Sequence, residues 1–331
     1  MGGSSFEDRE VTWKALDLPV YGTITRPADR EKYPAVIFIA GSGPTDRNWC
    51  SPLLPGTNGS AKLLAEALAT RGFITLRYDK LPSGPHAREN VPKLTGKISM
   101  QSHLEELAGA VETILSEPNV NELFVLTNSE GAIHAVNYQL QTKGHRFAGL
   151  VLSGAPGRTI GQVSRDQIFA QARALPNPDD MMKHYDEAIA DFLGARPISI
   201  DPSLPRAIHP FFKALEIPTN LPFSRELWTF NLAEHISQVD APLLILIGKK
   251  DIQVDWRADG QPLENALKGR PTATFVYPEN ANHVLKHEEL PREKITAQYV
   301  ATHYNAPDAV LDAEASNTIC SWLNVQSSGQ R

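Results

Sequence analysis

Short apolar runs alternating with helix-like stretches constrain the fold of this chain more than any other feature. Ala35-Val36-Ile37-Phe38-Ile39-Ala40 is apolar without interruption. A strand with one wet face alternates polar and apolar side chains, so an unbroken run of this length reads as a strand covered on both faces, as in a parallel sheet. In residues 60–71, Leu63, Leu64, Ala67 and Leu68 recur at helical spacing. Gly72 stops that pattern before a second strand, Phe73-Ile74-Thr75-Leu76-Arg77-Tyr78. The unit then repeats. Ser102-His103-Leu104-Glu105 has the spacing of a capping box, which predicts a helix start there, with Leu104, Leu107, Val111 and Ile114 on one face. Residues 123–126 and 148–152 are further buried runs with a helical stretch between them. The alternation predicts an α/β fold: a mostly parallel, twisted sheet with helices on both faces and right-handed crossovers. Ligands of such a sheet gather at the carboxyl ends of its strands.

The two ends and one insertion depart from this rhythm. Residues 11–25 mix polar and apolar residues around Pro19 and Gly22, as in an antiparallel hairpin or two edge strands. From 157 to 231 the chain is helical and punctuated by prolines, and the sheet pattern resumes at Leu243-Leu244-Ile245-Leu246-Ile247. The expected organisation is a core of residues 1–156 and 232–331 with a helical cap, 157–231, inserted between them. The cap carries Phe169, Phe192, Phe211, Phe212, Phe223 and Trp228. Some of these, with Phe169, Phe192, Phe212 and Trp228 as the candidates, could line an apolar substrate pocket over the strand ends. The competing reading makes them the cap's own core. The last strand is expected at residues 273–277, with Val310, Ile319, Trp322 and Leu323 on a closing helix.

Composition narrows the partners. The 331 residues carry a net charge of −6 with mixed signs and no basic patch interleaved with aromatics, which argues against nucleic acid or an anionic membrane surface. Small or neutral molecules are the expected partners. The first ten residues lack the apolar stretch of a signal peptide, and nowhere do about 18 apolar residues run together, so a cytoplasmic location is expected. Cys50 and Cys320 are too few for a disulfide framework and too far apart for a metal-binding pair. Neither an H-E-x-x-H pattern nor a phosphate-binding glycine loop with its lysine occurs, so no metal or other cofactor is required.

The chemistry centres on Thr127-Asn128-Ser129-Glu130-Gly131, between a buried strand and a helix. A sharp strand-to-helix turn lifts a serine hydroxyl out of the sheet and points the helix's first N–H groups toward developing negative charge. A serine is a weak nucleophile, so it needs a base within hydrogen-bond reach and a carboxylate to orient that base. Asp251 follows a buried strand and His283 lies a few residues past the last one, both at the edge that holds Ser129. Asp255 is an alternative acid, and His287 and His303 are alternative bases. His287 lies among Lys286, Glu288 and Glu289, as a surface residue would, and His134, in the helix after the turn, reads as a packing or surface histidine.

The order Ser, Asp, His on this pattern, with the serine after the third strand of the parallel run, resembles the α/β-hydrolase superfamily over nearly the whole chain. Gly41-Ser42-Gly43-Pro44-Thr45-Asp46-Arg47-Asn48 is similar to the G-S-G-P-x-D-R loop of bacterial esterases of the serine-aminopeptidase-like group, whose turn commonly reads G-H-S-E-G. The resemblance implies Ser129 as nucleophile, His283 as general base, Asp251 as orienting acid, and backbone N–H groups of Ser42 and Glu130 as the oxyanion hole. Asp46 and Arg47 would tie their loop together. The implied activity is cofactor-independent hydrolysis of a small-to-medium carboxylic ester through an acyl-enzyme. Lactones, thioesters and amides are cleaved by the same machinery, and a homologue that only binds ligand is the alternative from another class. Thr127 and Asn128 depart from the family's Gly-His, and Ala40-Gly41 from its His-Gly.

Overall fold

The computed structural model describes residues 6–29, 31–173 and 176–328. Its centre is an eight-stranded sheet in the order β1-β2-β4-β3-β5-β6-β7-β8. β1 (Phe6–Ala15) and β2 (Leu18–Pro27) form the antiparallel hairpin expected near the start. Its two-residue turn, Leu16-Asp17, has φ of 48° and 60°, the double positive φ that matches strand twist in tight hairpins. β2 pairs antiparallel with β4 (Ile74–Tyr78). The other pairs are parallel, through β3 (Tyr33–Ile39), β5 (Val120–Asn128), β6 (Gly149–Ser153), β7 (Leu243–Leu246) and β8 (Ala273–Val276).

The unbroken apolar runs are explained by two cores, one on each face. In β3, Ile37 and Ile39 enter one core while Val36 and Phe38 enter the other. On the first face lie α3 (Met100–Leu115), α4 (Gly131–Gln141), α9 (Leu232–Ile236) and α10 (Gly260–Ala266). On the second lie α1 (Ser60–Ala69) and α12 (Ala313–Ser328). Each fully buried Leu, Ile or Phe in these layers contributes roughly 1.5–3 kcal/mol. Two short helices, α2 (Ala87–Asn90) and α11 (Ala297–His303), lie in the connections.

Two local readings change. α3 starts three residues earlier than expected: Ser99 is its N-cap, its Oγ accepting the Ser102 N–H while Ser102 Oγ accepts the Ser99 N–H. Ser102 therefore closes a capping box as its last residue and does not open one, since a serine hydroxyl can fill either end of that exchange. Val310 precedes α12 and is 62% exposed, unlike Ile319 and Leu323 within it.

Between β6 and β7 the chain forms α5 (Ile160–Ala172), α6 (Pro178–Leu193), α7 (His209–Leu215) and α8 (Phe223–Thr229). Met181, Met182, Tyr185, Leu204, Ile208 and Phe212 give this segment an apolar cluster of its own. Arg158 fastens its start to the sheet layer, donating from Nη2 and Nε to the two oxygens of Asp259 at 2.7 and 3.1 Å. Among the described residues no helix is long and apolar enough to cross a membrane.

Candidate active site

Parallel strands place their carboxyl ends on one edge, and the loops leaving β3, β4, β5, β7 and β8 carry Ser42, Lys80, Ser129, Asp251 and His283 there. Ser129 adopts φ +54°, a left-handed conformation that costs a residue other than glycine roughly 1–3 kcal/mol. Fixed partners hold it: its N–H donates to Ser153 O at 2.8 Å, and its carbonyl accepts the Ala132 N–H at 2.9 Å. The next glycine is required by space. A Cβ on Gly131 would lie 2.6 Å from Ile39 O, so α4 could not otherwise start this close to β3.

Asp251 is fully buried, and its Oδ2 lies 2.7 Å from His283 Nδ1. Its Oδ1 accepts the N–H groups of Gln253 and Val254 at 2.7 and 2.9 Å, which fixes the carboxylate plane. An ionised Asp251 requires the proton of a neutral His283 on Nδ1, leaving Nε2 with a free lone pair, as a general base needs. The His283 ring sits over Gly154, where a Cβ would come within 3.3 Å of it. Ser129 and His283 both border a cavity of about 340 Å³, together with Ser42, Asn128, Gln253 and Tyr304. The neighbours of the serine join this construction. Asn128 Nδ2 donates to the His283 carbonyl at 2.8 Å, and the buried Thr127 hydroxyl donates to Val151 O at 3.3 Å.

No family model matches the chain. Among curated proteins it is similar to Esterase EstD of Thermotoga maritima, with 26% identity over 285 residues, 85% of this chain and 60% of that protein. It thus spans less than two thirds of that relative's length. Among solved structures it is similar to a proline iminopeptidase of Mycobacterium smegmatis, with TM-score 0.58 and 15% identity over 98% of this chain and 100% of the other. Est1E from Butyrivibrio proteoclasticus, solved with ferulic acid, matches with TM-score 0.57 and 13% identity over 96% and 99%. The esterase domain of a Rhodothermus marinus protein matches with TM-score 0.52 and 15% identity over 96% and 97%. The chain has the α/β-hydrolase fold.

In this fold the alternative acid and bases lie in other contacts. Asp255 pairs with Arg292 at 2.9 Å and accepts the N–H groups of Arg257 and Ala258. His287 Nδ1 lies 3.0 Å from Asp312, and His303 stacks on Tyr299. Asp46 accepts the N–H groups of Asn48 and Cys50 within its own loop. Arg47 grips the Asp79 carboxylate from Nε and Nη2 at 2.9 and 2.7 Å.

A second cavity of about 520 Å³ lies across the Ser42-Gly43-Pro44 strip from the first, and those three residues border both. Its walls include Ile98, Phe211, Phe223, Leu227 and Trp228. Of the four aromatic candidates, Trp228 borders it. Phe192 and Phe212 are fully buried away from both cavities, because their helices turn them inward against Trp228, Tyr185 and Phe211. Phe169 borders an open hollow with Arg165 and Lys183 on the outer side of α5 and α6.

Sequence reasoning did not anticipate the charged floor of this second cavity. Lys80, His103 and Glu130 border it, and all are buried. Lys80 Nζ lies 3.0 Å from Glu130 Oε1, which also accepts from His134 Nε2 at 3.0 Å. His103 Nδ1 bonds Glu106 at 2.9 Å, and its ring lies 4.5 Å from that of His134. Burial alone would raise the Glu130 carboxyl, but the Lys80 charge and the His134 hydrogen bond hold it well below its usual range. Burial, then the nearby His103, pushes His134 down to about 4 against the pull of Glu130. The signal for Lys80 was present: Tyr78-Asp79-Lys80 leaves a buried strand at the edge that carries the serine. Among the described residues no group of three or more His, Cys, Asp or Glu could hold a metal ion.

Proposed function

We propose that this protein hydrolyses carboxylic esters of small to medium size through Ser129, His283 and Asp251. The observation that carries the reading is the 2.7 Å bond from a fully buried Asp251 to His283, which borders the same cavity as a serine on a left-handed turn. His283 Nε2 takes the Ser129 proton as Oγ attacks the ester carbonyl, and the carbonyl oxygen becomes an anion. The N–H groups of Ser42 and Glu130 stabilise that anion, and each such donor typically lowers a barrier by ~3 kcal/mol. The imidazolium, stabilised by Asp251, returns the proton to the leaving alcohol. A water deprotonated by His283 then releases the acid from Ser129.

Similarity to Esterase EstD supports the choice of bond, and the apolar walls of the larger cavity support a substrate with an apolar side. The deciding experiment combines turnover of p-nitrophenyl butyrate with fluorophosphonate labelling. Ser129→Ala is expected to lower kcat by ~10⁴-fold or more and to abolish labelling, with its circular dichroism unchanged. Undiminished turnover in folded Ser129→Ala would reject the assignment. A wild-type enzyme that labels but cleaves only amides or lactones in a substrate panel would move the reading to that bond.

A further inference from the structure

We propose that Lys80 is a positioning residue for the oxyanion hole, a role that rests on the reading of acyl transfer at Ser129. Strand order puts it in place. β3 lies between β4 and β5, so the loop that carries Gly41 and Ser42 is flanked by Lys80 on one side and Ser129-Glu130 on the other. The Lys80 ammonium donates to Gly41 O at 2.7 Å and to Glu130 Oε1 at 3.0 Å, with its side chain only 4% exposed. One buried cation therefore holds both residues that flank the hole.

The Gly41 contact fixes a direction. Gly41 C=O and Ser42 N–H belong to one planar trans peptide, so they point in opposite directions. Lys80 grips the carbonyl from its own side and thereby aims the Ser42 N–H away from itself. The next carbonyl is also fixed, since Ser42 O accepts the Thr45 hydroxyl at 2.8 Å, and Gly43 then turns the chain at φ +77°. The Lys80 ammonium, bonded to Gly41 O, further polarises the peptide and makes the Ser42 N–H a stronger donor. On the other side, the Glu130 carboxylate is held by Lys80 and His134 together, which anchors the first turn of α4 and the Glu130 N–H. Neutralising a buried carboxylate alone would not require the bond to Gly41; the double contact does.

The experiment compares wild type with Lys80→Met and Lys80→Arg in three readouts: steady-state hydrolysis of p-nitrophenyl butyrate, inhibition by an aryl trifluoromethyl ketone whose adduct places an oxyanion in the hole, and the rate of fluorophosphonate labelling. Lys80→Met is expected to lower kcat by ~10–100-fold with KM within about 3-fold, and to weaken the ketone and slow labelling by a similar factor. Lys80→Arg, which can reach both acceptors, is expected to recover most of the loss. Should Lys80→Met not fold, Lys80→Gln, which is uncharged and one bond too short to hold both acceptors, is expected to show a smaller loss of ~3–10-fold in the same three readouts, and folded Lys80→Gln indistinguishable from wild type would overturn the proposal. Folded Lys80→Met with kcat, inhibition and labelling all within about 2-fold of wild type would overturn the proposal, as would a change confined to KM. Labelling does not depend on the natural acyl group, so a wild type that labels without cleaving esters counts against the ester reading and leaves the Lys80 comparison intact.

Discussion

Asn128 shows how a departure in sequence becomes a structural part. In place of the histidine common in the related turns stands a short amide, buried, that donates 2.8 Å to the carbonyl of His283. A Cβ on Gly41 would lie 3.0 Å from its Oδ1, so the same side chain touches the loop on the other side of the serine. It thereby couples the turn that carries Ser129 to the loop that carries His283. Asn128→Ala removes a buried hydrogen bond and frees the His283 backbone, with an expected loss of ~1–3 kcal/mol in stability. If His283 is the base, as proposed, its displacement takes it out of reach of the Ser129 hydroxyl, and kcat is expected to fall by about 10-fold or more. Asn128→Asp should be worse, since it sets a carboxylate against a carbonyl oxygen. Urea unfolding and aryl-ester kinetics on the two variants check both expectations, and an Asn128→Ala enzyme with wild-type kcat would limit Asn128 to packing.

At the scale of elements, α4 combines what the sequence showed with what it hid. The turn before it and the strands beside it were legible because β3, β5, β6 and β7 are covered on both faces and so leave continuous apolar runs. The acid and the histidine were legible as positions because strand ends share one edge. The start of α3 was not, since Ser99 and Ser102 can each serve as an N-cap and only their exchange of hydrogen bonds decides. Nor was the inner face of α4, because an i, i+4 pair such as Glu130 and His134 looks like any solvated helix pair until burial is known. That burial gives a pH prediction. His134, with Lys80, Glu130, His103 and Glu106 around it, titrates at about 4, against 6.5 for an ordinary histidine. Between those values the unfolded chain binds more protons than the folded one, so stability falls as pH drops through this window. The loss from His134 reaches on the order of 3 kcal/mol near pH 4. Glu130, held below 4.5, adds to it as pH falls under that value. His134→Gln keeps a donor for Glu130 and cannot titrate, so its unfolding free energy should decline less between pH 6.5 and 4. Parallel wild-type and variant curves in urea titrations across that range would remove His134 as the cause.

On the scale of the whole molecule, Ser129 belongs to the sheet layer, whereas much of the larger cavity wall belongs to the helical segment between β6 and β7. Ser42, Gly43 and Pro44 stand where the two cavities meet, so an ester held at Ser129 would extend past them beneath α7 and α8. On the proposed function, this arrangement would separate bond breaking from chain-length selection and make the selection adjustable without touching Ser129, Asp251 or His283. Phe211 borders the larger cavity, edge to face with Phe212 at 5.4 Å and tilted against Trp228 at 6.0 Å. Removing its ring should open room for a longer acyl chain, while Ala214, on the same wall, can be enlarged to close it. One methylene in an apolar pocket changes discrimination by roughly 10–200-fold at most. Phe211→Ala is therefore expected to raise the kcat/KM ratio of p-nitrophenyl octanoate to butyrate by ~10-fold, and Ala214→Phe to lower it by a similar factor. If both variants fold, label normally at Ser129 and leave the ratio where it was, the acyl chain binds outside this cavity. Opposite shifts in the two variants would instead place it in this cavity against α7, with the helical segment setting its length.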